Sequence, residues 1–201
     1  MTRFTLAFAL SCMPGLAAAL DAGVISTVTF DLIPDRAGLE TATITQNPGI
    51  DSAGDLTITA ADGTVILSAP EATTAGSFAG DPPSVAVAPN GSSLYINQEW
   101  TGVGRNPWSS TTTVAWRDGA LLVAGETTRM YDRITNETLS CDWNLLSGGY
   151  EVQACALRDP DQDAPGDCVE RQDTGSRPAR VTLAQWLGGD TAGLESFCTL
   201  R

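Results

Sequence analysis

Across residues 92–155, apolar and polar positions alternate in short runs separated by turn residues. At the centre, Thr112, Val114 and Trp116 alternate with Thr113, Ala115 and Arg117, the period of two that a half-buried strand requires. Residues 121–126 form a second β-rich run. The Asp118-Gly119 pair between the two accepts the positive φ angles of a tight hairpin turn. Residues 93–98 predict the strand before this hairpin. A strand beginning near Cys141 and a turn at Ser147-Gly148-Gly149 predict a return through Tyr150 to Gln153. Sequential strands joined by short turns usually pair with their neighbours, so an antiparallel meander of four or five strands follows.

The same rhythm runs upstream. Residues 24–33 hold a strand at Val28-Thr-Phe30, and residues 40–45 predict a second. Residues 55–59 and 64–68 flank Asp62-Gly63, another hairpin signal. Residues 69–83, rich in Ala, Thr, Gly and Pro, predict a loop. Residues 84–88 then lead through Asn90-Gly91 into Ser93. Helical periodicity is confined to a single turn at residues 183–187. Many short strands at regular spacing predict an all-β class, built of antiparallel meanders in a blade-like or sandwich-like arrangement.

Residues 1–19 break the pattern. Arg3 precedes an apolar stretch at residues 4–16, and Ala17-Ala-Ala19 offers a small-x-small cleavage site, the form of a secretory signal peptide. No later stretch approaches the ~20 apolar residues of a spanning helix. The expectation is an exported chain, periplasmic or secreted, with residues 20–201 as one domain. Its parts are N-terminal strands (24–88), a central meander (92–155) and a C-terminal segment (156–201). About 180 residues suffice for one real core. Cys141, Cys155, Cys168 and Cys198 lie in that export product, an even number that predicts two disulfides. Cys141 and Cys155 are equidistant from Gly148, so a tight hairpin there would oppose them and give Cys141–Cys155 with Cys168–Cys198.

Charge and composition narrow the chemistry. Asp and Glu number 24 against 11 basic residues, all Arg, for a net charge of −13 with no His. Phosphate contacts need a basic face, so nucleic acid is excluded as a partner, and anionic membrane is disfavoured. The absence of His and Lys removes Ser-His-Asp and Cys-His nucleophiles, Schiff bases and histidine-ligated zinc. A carboxylate pair, as in glycoside hydrolysis, survives on composition, yet no motif selects two of the 24 acids.

Two stretches carry candidate chemistry. Residues 99–108 contain Trp100, Arg105, Asn106 and Trp108 with glycines between two strands, and exposed Trp and Arg are favoured anchors for partners. The competing structural reading has both Trp plug the end of the sheet, with Arg105 paired to a carboxylate such as Asp118 or Asp132. The second stretch places Asp159, Asp161, Asp163, Asp167 and Glu170 at positions 1, 3, 5, 9 and 12 of a twelve-residue calcium loop. Ala164 stands where that loop needs glycine, and no helices flank it, which favours a solvated acidic loop. Calcium is the cofactor such a loop would hold.

The run from Trp100 through Gly104-Arg-Asn-Pro-Trp108-Ser, then Arg117-Asp-Gly119, Val123-Ala-Gly125, Tyr131-Asp132 and Ser140-Cys-Asp-Trp-Asn-Leu-Leu-Ser-Gly148 resembles a family of exported proteobacterial proteins. Their pattern is G-R-N-x-W-S, R-D-G, V-A-G and S-C-D-x-N-L-L-[ST]-G. The ending, residues 181–186 with Cys198, is also similar. The resemblance implies export and a shared fold and carries no activity. It also implies the pairing Cys141–Cys198, leaving Cys155–Cys168. Family members are similar near their start to the calcium-loop repeats of integrin-type propeller blades. Here the corresponding residues 31–40 have Ile33 and Leu39 at oxygen-bearing positions and Arg36 in place of the turn glycine, a degenerate loop. The resulting expectation is a non-catalytic binding protein of the periplasm or envelope, with a protein or glycan ligand. The alternatives are a calcium-stabilised structural module and a carboxylate-based hydrolase.

Overall fold

The computed structural model describes residues 23–47, 49–50, 53–75, 80–157 and 168–199. Residues 1–19, expected to be a signal peptide, and most of the acidic run therefore lie outside the described residues. Eleven strands follow one another: β1 (Val24–Phe30), β2 (Glu40–Gln46), β3 (Ala53–Thr59), β4 (Val65–Thr74), β5 (Ser84–Val87), β6 (Ser93–Trp100), β7 (Trp108–Arg117), β8 (Ala120–Tyr131), β9 (Thr138–Asn144), β10 (Gly149–Leu157) and β11 (Cys168–Ser176). A short helix α1 (Leu183–Leu187) and a 3-10 turn (Leu194–Ser196) close the chain. Strands β1 to β4 form one antiparallel sheet in sequence order, and β5 to β11 form a second, also in sequence order. The chain is thus all-β, and no helix among the described residues is long and apolar enough to cross a membrane.

The two sheets share one core. Ala42, Ile44, Leu56 and Ile58 from the first meet Leu94, Ile96, Val114 and Val123 from the second. Burial follows the strand period, so every second residue faces inward. The larger sheet extends beyond the smaller one, and there the C-terminal tail covers it. Leu139, Cys141, Val152 and Ala154 pack under Cys198, Leu194 and Phe197. Phe197 stacks on Tyr150 with centroids 4.6 Å apart and meets the edge of Trp143 at 5.2 Å. Trp143 is fully buried, and its Nε1 donates to the Arg177 carbonyl at 3.0 Å. A Cys141–Cys198 disulfide fixes the tail in place. Capping by Thr182 and Gln185 starts α1, whose Leu183 enters the shared core.

Three expectations change. The meander has seven strands, not four or five, because β5 and β11 extend it at both edges. Strand β11 carries no alternating hydrophobes, and residues 172–176 are exposed, so it leaves no amphipathic signal. Residues 69–74, expected in a loop, continue β4. Pairing jumps from Leu56–Ala69 to Gly54–Thr73, with Pro70, Glu71 and Ala72 bulged out and Glu71 at φ +54°. Finally, Cys141 and Cys155 are not opposed: Cys141 pairs with Val152, and Cys155 with Thr138. The hairpin loop is residues 145–148, closed by the Gly148 amide on the Asn144 carbonyl at 2.7 Å. Leu145 is drawn into the core from inside that loop, which moves the turn upstream of Gly148. Cys155 is itself disulfide-bonded. The Cys168 side chain, its expected partner, lies outside those described.

Candidate functional site

The expected binding loop is held shut by its own hydrogen bonds. Trp100 and Trp108 oppose each other across β6 and β7, both half-buried, on the inward side of the sheet. Trp100 Nε1 donates to the Val103 carbonyl at 2.8 Å. Arg105 forms a bidentate pair with Asp132, Nη2 to Oδ2 at 2.7 Å and Nε to Oδ1 at 3.0 Å. Asp132 is buried and also accepts the amides of Ile134 and Thr135. The guanidinium of Arg105, then these amides, hold its carboxyl well below the usual carboxylate range. Arg133 donates to the carbonyls of Gly104 and Thr101, at 2.8 and 2.5 Å. Asp118, the other carboxylate considered for Arg105, instead takes Arg180 at 2.6 Å. Asn106 is exposed. What this loop still offers is a shallow groove of about 220 Å³ beside Pro107, Trp108, Met130 and Tyr131.

The acidic stretches contribute little that is visible. Asp159, Asp161, Asp163 and Asp167 lie outside the described residues. Glu170 falls in β11 opposite Cys155, not in a loop, and its side chain is not described. In the degenerate loop, Glu40 turns inward and its Oε2 accepts the amides of Leu32 and Ile33 at 3.0 and 3.1 Å. Buried Leu32 and Ile33 make this segment a hydrophobic plug. Among the described residues no group of three metal-ligating side chains converges.

A larger feature lies on the outward face of the seven-stranded sheet. Register aligns Ser84, Asn97, Thr111, Thr127, Asp142, Glu151 and Thr174 in one row crossing all seven strands. A second row holds Glu99, Ser109, Arg129, Ser140, Gln153 and Gln172. Tyr95, Thr113, Gly125 and Asn144 form a third. Directly opposed residues on one face are within side-chain reach, so each row is a continuous polar strip. The face is indented. One depression of about 680 Å³ includes Tyr95, Thr113, Asp142 and Asn144, and a neighbour of about 260 Å³ shares Tyr95 and Thr113 and adds Arg129. A third, of about 520 Å³, runs from Arg129 past Ser140 to Gln153 and Gln172.

A single extra residue builds this face. Val114 pairs with Val123 but Thr113 pairs with Gly125, leaving Ala124 as a bulge in β8. A bulge reverses the in-out parity of everything after it. Beyond Ala124 the inward positions become Glu126, Thr128 and Met130, and the outward ones Thr127 and Arg129. Glu126 is consequently buried beside Thr112 and Trp143, with its Oε2 lacking a partner. The sequence reading missed this face because a Ser/Thr alternation alone marks any solvated strand. The bulge, which sets the rows in register, has no sequence signature here.

Compared with known proteins, the chain matches no family model, and no curated protein or solved structure is similar to it.

Proposed function

We propose that this is a non-catalytic binding protein of the periplasm or envelope, and that it lays a glycan across the outward face of the seven-stranded sheet. The observation that carries this reading is the set of aligned polar rows over contiguous depressions. Hydroxyl and amide side chains both donate and accept, matching the hydroxyl groups of a sugar chain. Tyr95, shared by two of the depressions, offers a ring on which a sugar can stack. A protein partner would favour apolar or Trp and Arg anchors at the centre of its footprint. Here both Trp of the 100–108 loop face inward and Arg105 is occupied by Asp132. Export follows the reading of residues 1–19 as a signal peptide.

The test is a titration of the mature chain with neutral and acidic oligosaccharides, read by amide chemical shifts. Shifts are expected at Tyr95, Thr111, Thr113 and Thr127, and Tyr95→Ala weakens binding. Shifts confined to residues 107–108 and 131 would transfer the site to the tryptophan loop. Silence toward every oligosaccharide would remove the glycan reading.

A further inference from the structure

The ligand class follows from one side chain, given the reading that the outward face takes a glycan. Among the arginines whose side chains are described, every one but Arg129 is engaged. Arg36 reaches Asp62, Arg105 reaches Asp132 and Arg180 reaches Asp118. Arg117 and Arg133 donate to backbone carbonyls, and Arg177 donates to Ser196 and lies over the Phe197 ring. Arg129 has no hydrogen bond or ion pair and is exposed. It borders the groove beside Trp108 and two of the depressions on the outward face. An unpaired guanidinium at that junction, in a chain of net charge −13, stands out from its surroundings.

Its neighbours sharpen the point. The residues directly opposed to Arg129 are Ser109 and Ser140, both neutral hydroxyls. Among the described side chains, carboxylates stand further off. Asp142 lies diagonally on β9 and receives the Thr127 hydroxyl at 3.3 Å. Glu99 on β6 and Glu151 on β10 are each two strands away, about 10 Å at ordinary strand spacing. Glu99 accepts the Asp81 amide, and Glu151 accepts the amides of Gln153 and Gln172. The cation therefore has a neutral collar and an acidic rim.

We infer that Arg129 receives a carboxylate of the glycan, a single uronate residue set among neutral sugars. A guanidinium offers two parallel N–H donors that match the two oxygens of a carboxylate. Ser109 and Ser140 stand ready to bond the same oxygens or the adjacent ring hydroxyls. Neutral sugars on either side meet Gln153 and Gln172 in one direction and Thr113 and Tyr95 in the other. A densely charged uronate polymer is disfavoured, because its next carboxylates would meet Asp142, Glu99 or Glu151, and the whole chain repels a polyanion.

The experiment is calorimetric titration of the mature chain with three probes: xylohexaose, a xylo-oligosaccharide of that length bearing one glucuronate branch, and hexagalacturonate. The singly charged probe is expected to bind about tenfold or more tighter than the neutral one, the effect of a charge-assisted bidentate contact. Hexagalacturonate binds more weakly than the singly charged probe. Arg129→Gln removes the preference for the glucuronate branch and leaves the melting temperature unchanged, since Arg129 holds nothing in the fold. Equal binding of the neutral and singly charged probes, or a preference that survives Arg129→Gln, would overturn the inference while the outward face remained a glycan site. Tightest binding by hexagalacturonate would overturn the single-carboxylate placement. No binding of any probe would overturn both readings.

Discussion

Replacing Glu126 by Gln should stabilise the protein at neutral and alkaline pH. Glu126 is 5% exposed, and its Oε2 has no partner. Burial raises its carboxyl from 4.5 to about 7, opposed in part by the hydroxyls of Thr112, Ser110 and Thr128. A raised carboxyl pKa means that the native state binds the proton more tightly than the unfolded chain. Its penalty is absent below about pH 4.5, grows as pH rises through 4.5–7, and is complete above 7. Raising a carboxyl from 4.5 to about 7 corresponds to about 3 kcal/mol at full ionisation. Gln keeps the shape and removes the charge that burial penalises. For a chain of this size about 3 kcal/mol raises Tm by roughly 6–12 °C. The assay is thermal unfolding of both proteins from pH 4.5 to 8. Taking the difference between them cancels the general repulsion of the other acids. The two should coincide near pH 4.5 and diverge steadily to pH 7.5. A variant melting at or below wild type at pH 8 would refute the account of Glu126 as a buried, strained charge.

The tail and the loops supply further tests. Cys198→Ser opens a ring spanning 57 residues of sequence separation, for which loop-closure entropy alone predicts a loss of about 4 kcal/mol, measured by denaturant unfolding. Gly148→Ala should cost about 2 kcal/mol or more, because Gly148 sits at φ +83° and a Cβ would lie 2.3 Å from the Pro178 nitrogen. Asp132→Asn should lower Tm at pH 7 and speed amide exchange across residues 101–107. That difference should shrink as pH falls below about 4, because a depressed carboxyl stabilises only where it is ionised.

Strands flanked by Asp118-Gly119 and Asn90-Gly91 were legible because alternation and turn chemistry agree there. Strand β11 was not, because an edge strand of polar residues has nothing to bury. The register of β9 against β10 differs from symmetry about Gly148 because Leu145 is hydrophobic enough to leave the loop for the core. The tryptophan loop drew attention through composition, yet Asp132, 27 residues downstream, decides what Arg105 can do. The outward face depended on the Ala124 bulge. Read with unbroken alternation from Leu121 and Val123, Glu126 points outward and Arg129 inward. The one-residue insertion exchanges them, and with them the places of buried and available charge.

The covalent ring also changes how the protein would carry mechanical load. Tension applied beyond Cys198 passes through the disulfide directly to Cys141, in β9, well inside the larger sheet. The chain between them, roughly 200 Å of contour at full extension, is bypassed and cannot unravel from that end. Strands β10 and β11 would therefore remain folded under a pull that peels an unlinked edge strand by strand. A pull on the C-terminal end would leave the outward face intact.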